Sequence, residues 1–160
     1  MESSIYYLRM FLFLSAAALA FVLSFLAKLL IDAVLLSRIA IIGSLEGLQR
    51  TENAGIAFGM QLLPGLQELL ILCALTVVII LAWKAARASV RHRERTRVLM
   101  IGYGCIVGGA LCNIVDRSLD RYVTDFIQVG TFPVFNVADS FITIGVLFLL
   151  AESLAMNRNM

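Results

Sequence analysis

Charge is scarce in this chain. Only 15% of its 160 residues are Asp, Glu, Lys or Arg, whereas 61% are hydrophobic. With a mean hydropathy of +0.92, it has too few polar side chains to cover a water-facing surface, so most of it must be solvated by lipid. A net charge of +2 gives no basis for a nucleic-acid partner. Histidine is rarer still. His92 is the sole one and lies in a run of arginines, which excludes a histidine-based metal site or a Ser-His-Asp triad carried by this chain. The three cysteines, Cys73, Cys105 and Cys112, fall inside apolar runs without metal-ligand spacing and read as small packing residues. There is no internal repeat and no low-complexity tract. Carboxylates remain as the candidate catalytic groups.

Four apolar runs are present, Met10 to Ile31, Leu66 to Trp83, Val98 to Val115 and Val137 to Ala155. Eighteen helical residues at about 1.5 Å each cover about 27 Å, close to the roughly 30 Å hydrocarbon core, so each run can span. The fold class expected is membrane all-α: a single integral membrane domain over residues 1–160, with four transmembrane helices. Ala16-Ala17-Ala18-Leu19-Ala20 resembles a signal-peptide cleavage site, but the apolar run continues to Ile31, which favours an uncleaved first span. Between spans two and three, Lys84, Arg87, Arg91, Arg93, Arg95 and Arg97 face one acidic residue, Glu94. The positive-inside rule makes this loop cytoplasmic. Both termini are then cytoplasmic, and Asp32 to Gly65 and Asp116 to Asn136 lie on the outer face.

The first outer segment is punctuated by Gly43, Gly47, Gly55 and Gly59, with Ile39, Ile41, Ile42, Leu45 and Leu48 between polar residues. This pattern predicts a small twisted sheet, or cradle, over about 33–60, resting on the membrane surface. Gly104 and Gly108 share one face of span three, with Gly109 beside them, a pattern that lets another helix approach closely.

Polar residues gather where spans three and four meet the outer surface: Asn113, Asp116, Arg117, Asp125, Asn136 and Asp139. An ionisable group at such depth is a functional candidate. A purely structural reading also stands: Asn136 caps span four, Asp139 occupies its favourable first turn, and Asp116 pairs with Arg117 or Arg121. Taken together, however, Asp125 and Asp139 can meet at the lipid boundary. Two carboxylates that close hold one proton between them, leaving one acid and one base to activate water against a peptide carbonyl. Two other functions use the same residues: a non-catalytic cradle for lipidated peptides, and a small transporter or proton conductor. Against the transporter, spans two and three carry no mid-depth acid to continue a path.

Three stretches resemble the prolipoprotein signal peptidases (signal peptidase II), which the chain matches in order and topology. They are Asn53-Ala54-Gly55-Ile56-Ala57-Phe58-Gly59; Gly108 to Arg117, continuing to Val123-Thr124-Asp125-Phe126; and Phe132-Pro133-Val134-Phe135-Asn136-Val137-Ala138-Asp139-Ser140. The resemblance implies an aspartyl endopeptidase of the bacterial inner membrane. Its substrate would be a diacylglyceryl-modified prolipoprotein, cut just before the lipidated cysteine, and the chain would work as a monomer among membrane lipids. It implies Asp125 and Asp139 as catalytic, Asn53, Gly55, Asn113, Arg117, Asn136 and Lys28 as substrate-binding, and no metal or organic cofactor. Asp116 is expected to be structural and engaged with arginine. In one departure, the family usually carries Asp-x-x-x-Lys at the outer end of span one, whereas Ser24 precedes Lys28 here. Asp32, one turn beyond, predicts a replacement i,i+4 contact with Lys28. The alternative for Lys28 is a lysine snorkelling to the interface.

Overall fold

The structure, a computed structural model, describes residues 2–43, 45–55, 65–87 and 93–157. Its elements run α1 (Glu2–Val34), β1 (Ile39–Ile42), β2 (Glu46–Asn53), α2 (Leu66–Arg87), α3 (Arg93–Asp120), β3 (Val123–Gln128) and α4 (Val137–Asn157). Four of these helices are long and apolar enough to cross a membrane. His92 and the second half of the Asn53–Gly59 stretch lie outside the described residues.

The helix at the centre of the bundle is α3, which packs against α1 and α4 along their lengths and against α2 over a shorter seam. Within its most apolar window 44% of residues are buried, against 11–17% in the other three spans. Their outward faces, with Phe11, Leu72 and Leu147 exposed, therefore need lipid as solvent. Glycines make the close approaches. A Cβ on Gly104 would stand 2.5 Å from the Phe13 carbonyl oxygen, and one on Gly108 would collide with the Ala17 carbonyl, so this pair seats α1. Gly109 turns instead to α4, where a Cβ would lie 2.5 Å from the Ala138 oxygen.

Helices α1 and α3 begin earlier than their apolar runs, and all four helices run past the ends of theirs. The end of α3 shows why. Helical geometry continues beyond Val115 through Asp116 and Arg117 to Asp120, because these charged side chains find partners in α1 and in the turn after β2. Hydropathy stops at the first charge; the backbone does not.

At one end of the bundle a three-stranded antiparallel sheet, ordered β1-β2-β3, sits on the helix ends. The hairpin β1–β2 is the sheet expected from the glycine pattern. The glycine pattern does not predict the third strand: Val123-Thr124-Asp125-Phe126-Ile127-Gln128 pairs with β2 through Asn53↔Val123, Thr51↔Asp125 and Leu48↔Ile127. Phe126 packs with Ile31 and Leu35 at the end of α1, which seats the sheet on the bundle. The chain then folds back so that Ile127 and Phe135 exchange backbone hydrogen bonds at 2.8 and 3.1 Å, delivering Asn136 to the start of α4.

The opposite end is tied by Arg9. Buried in α1, it donates Nη1 to the Ala86 carbonyl at 3.1 Å and Nη2 to Thr96 Oγ1 at 3.2 Å. It thereby caps the C-terminus of α2 and fixes the start of α3.

Candidate active site

Four elements converge below the sheet: β2 brings Asn53, α3 brings Asn113 and Arg117, β3 brings Asp125, and α4 brings Asp139. All five line one cavity of about 630 Å³, the size of a small-ligand or peptide site. Its remaining wall is largely apolar, including Ile71, Ala110, Phe132, Val134, Ile142 and Ile144.

The carboxylates are held by amides. Asp125, 2% exposed, accepts from Asn136 Nδ2 at 2.7 Å on one oxygen and from Asn53 Nδ2 at 2.8 Å on the other. Asp139 accepts from Asn113 Nδ2 at 2.8 Å and from the Asn136 backbone N–H at 3.3 Å. Asn136 Nδ2 also donates to Asn113 Oδ1 at 3.2 Å. One buried asparagine thus touches both acids and the amide between them. Burial raises the Asp125 carboxyl to about 6, with the Asp139 charge adding to the rise and hydrogen bonds from Asn53 and Asn136, together with the Arg117 charge, opposing it.

The turn after β2 is fixed from three sides. Asn53 Oδ1 accepts the Gly55 N–H at 2.9 Å, Arg117 Nη2 donates to the Gly55 carbonyl at 2.7 Å, and Gln67 Nε2 donates to the Ala54 carbonyl at 3.2 Å. Gly55 and Asn136 are both buried and support the cavity wall from behind. Gln67 was not singled out by the sequence. Its signal was available, an amide in the first turn of an apolar span, the same feature that drew attention to Asp139.

Lys28, implied as substrate-binding, is not among the residues that line the cavity, and neither is Asp116, which was expected to be structural. Asp116 pairs with Lys28 at 2.8 Å rather than with an arginine, since Arg117 is turned toward Gly55. The expected Lys28–Asp32 contact is present at 3.2 Å, and Asp120 adds a third carboxylate at 2.6 Å. With its ammonium buried among three acids, Lys28 is not free to snorkel. Ser24, at the departure from the family pattern, is 4% exposed and its hydroxyl finds no hydrogen-bond acceptor. Among the described residues no three His, Cys, Asp or Glu side chains are arranged to hold a metal ion.

A buried aspartate and a half-buried one line the same largely apolar cavity at the end of a bundle of membrane-length helices, a layout that fits a membrane hydrolase of the aspartic type. The signal peptidase II profile matches residues 16–155, and the chain belongs to that family, whose members cleave the signal peptides of prolipoproteins. It is similar to the lipoprotein signal peptidase of Allorhizobium ampelinum, 39% identical over 117 residues, covering 70% of this chain and 68% of the relative. The Mycobacterium leprae lipoprotein signal peptidase is 34% identical over 154 residues, covering 91% and 73%, and that of Shouchella clausii 36% over 123, covering 76% and 78%. Two solved bacterial membrane enzyme structures obtained by the in meso method share the fold. Their TM-scores are 0.71 and 0.73, at 24% and 23% identity, covering 87% and 92% of this chain and 90% of each of theirs.

Proposed function

We propose that the chain hydrolyses the peptide bond just before the diacylglyceryl-modified cysteine of prolipoproteins, with Asp125 and Asp139 as the catalytic pair. The pair holds one proton. The ionised member takes a proton from water as its oxygen attacks the scissile carbonyl; the protonated member donates to the carbonyl oxygen. Collapse of the tetrahedral intermediate then returns a proton to the leaving amine. Amide donors from Asn53 and Asn113, with the Arg117 guanidinium, stabilise charge developing on the substrate backbone. The apolar wall receives the signal-peptide residues, while the acyl chains remain in lipid.

The arginine-rich stretch between α2 and α3 supports a cytoplasmic position for that loop and both termini. The sheet and the catalytic pair then lie at the outer face of the bacterial inner membrane, where lipidated substrate arrives within the leaflet. The chain acts as one membrane domain and as a monomer.

The observation that carries this reading is that Asn136 bonds both Asp125 and Asp139, which line the same cavity. Purified protein is incubated with matched prolipoprotein, with and without the diacylglyceryl group, beside the Asp125→Asn and Asp139→Asn variants. Release of signal peptide from the lipidated form alone, and from neither variant, is expected. Activity retained in either variant rejects the pair.

A further inference from the structure

The Lys28 cluster lies outside the cavity, yet it touches the strand that carries Asp125. Asp116 is 4% exposed. One of its oxygens meets Lys28 Nζ at 2.8 Å; the other accepts the backbone N–H of Thr124 at 2.8 Å. Thr124 is itself 1% exposed and is followed directly by Asp125. We infer that Lys28 and Asp116 are positioning residues for Asp125: the ion pair between α1 and α3 locks the Asp116 carboxylate onto the first turn of β3 and so sets the aim of the catalytic side chain. This rests on the reading of Asp125 as catalytic.

The connection from α3 to β3 needs such a lock. It turns in two residues, with Arg121 at φ 72°, a left-handed conformation unfavourable for a residue with a Cβ. In a strand, successive side chains point to opposite faces, so a slip of one residue would turn Asp125 away from the cavity and bring Thr124 in its place. Pairing with β2 alone guards this register weakly, because the β2–β3 ladder is itself irregular between Leu48 and Thr51. The Thr124 N–H bond to Asp116 holds the strand from the helix side.

Lys28 supplies the fixed charge that keeps Asp116 in place. A buried carboxylate needs a partner, and among the described residues the cation paired with Asp116 is Lys28. Asp32 and Asp120 share the same ammonium, but among the described residues it is Asp116 that accepts a hydrogen bond from β3. Asp32 has a second cation in Arg50 at 3.0 Å. The cluster therefore contains its own controls: three acids contact one lysine, and one of them reaches the catalytic strand.

The test measures kcat, KM and thermal unfolding of the purified protein in detergent with a diacylglyceryl-modified peptide. Asp116→Asn keeps an oxygen for the Thr124 N–H but loses the ion pair, and is the variant best suited to fold; Asp116→Ala loses both. A fall in kcat of about tenfold for Asn and about a hundredfold for Ala is expected, with KM within about twofold of the parent, since misplacement of a reacting group by about 1 Å has effects of this order. Lys28→Met should match Asp116→Asn, and Lys28→Arg should recover part of the loss. Asp32→Asn and Asp120→Asn should keep the parental kcat. Parental kcat in Asp116→Asn, or an equal loss in Asp120→Asn, overturns the inference while leaving the catalytic pair standing. An active Asp125→Asn, run alongside, would instead remove the reading on which it rests.

Discussion

Asn136 and Asp139 cap each other. The Asp139 N–H donates to Asn136 Oδ1 at 2.9 Å, and the Asn136 N–H donates back to the Asp139 carboxylate at 3.3 Å. This reciprocal cap satisfies two backbone donors at the start of α4. It also fixes the rotamer of a carboxylate that faces the cavity. Because the Asn136 amide reaches Asp125 as well, Asn136→Ala should do more than uncap a helix. The cap alone is worth about 1 kcal/mol, whereas loss of the shared donor should lower kcat by about a hundredfold. Unfolding and steady-state kinetics on the same preparation separate the two effects; a stability loss with parental kcat would confine Asn136 to a capping role.

The pH dependence follows from the raised Asp125 carboxyl. Asp125 faces Asp139 from α4, Arg117 from α3, Asn53 from β2 and Asn136 from the turn before α4, and its own value is about 6. With its carboxyl raised, Asp125 can carry the shared proton near neutral pH, so kcat/KM should fall as pH rises through about 6 as that proton is lost. Stability has the same sign. A carboxyl whose value rises on folding, here from 3.8 to about 6, binds more protons folded than unfolded. Its contribution is complete below about 4 and lost as pH rises through about 6. Asp125→Asn removes this titration, so the stability of the variant relative to the parent should increase between pH 4 and 7, by at most about 3 kcal/mol. A difference independent of pH would show that Asp125 ionises normally.

Arg117 joins the site to the turn after β2 through its bond to the Gly55 carbonyl. A lysine has the charge but not the planar fork, and cannot hold that carbonyl while facing the carboxylates in the same way. Arg117→Lys should therefore raise KM for lipidated peptide by about tenfold, as the turn carrying Asn53 and Gly55 loosens. Arg117→Ala should also lower kcat. Michaelis constants for the two variants decide the point; a parental KM in Arg117→Lys would assign the residue to charge alone.

The spans were legible because hydropathy averages over a whole helix, and Asn136 with Asp139 because a cap is a local, three-residue pattern. The capping and catalytic readings of that pair appeared as rivals in the sequence. In the structure the same atoms form the cap and face the cavity. What could not be read locally depended on partners far along the chain. The helical stretch from Asp116 to Asp120 fell beyond the apolar run because Lys28, which pairs with both aspartates, is about ninety residues away. The strand around Asp125 shows little of itself in the sequence because six residues carry little pattern without β2, some seventy residues earlier. Arg9, a charge just ahead of the first apolar run, is a buried tie between three helices. Only the Asp32 contact of Lys28, one helical turn away, could be anticipated from spacing.

Gly108 tests whether the helix seam holds the site in register. A Cβ there would strike the Ala17 carbonyl and come within 2.8 Å of the Ala20 Cβ; the carbonyl is backbone and can yield only if α1 moves. Alanine should cost about 1–3 kcal/mol through overpacking, and leucine more. The consequence should reach the chemistry. Asp116 lies eight residues further along α3, about 12 Å at helical rise, and its contact with Lys28 crosses the same α1–α3 seam. Splaying the helices at Gly108 should therefore lower kcat as well as the unfolding temperature, in the order Gly, Ala, Leu. If Gly108→Leu unfolds at the parental temperature, the seam is not the tight contact these distances describe; if it is less stable but keeps the parental kcat, the seam and the strand of Asp125 are mechanically independent.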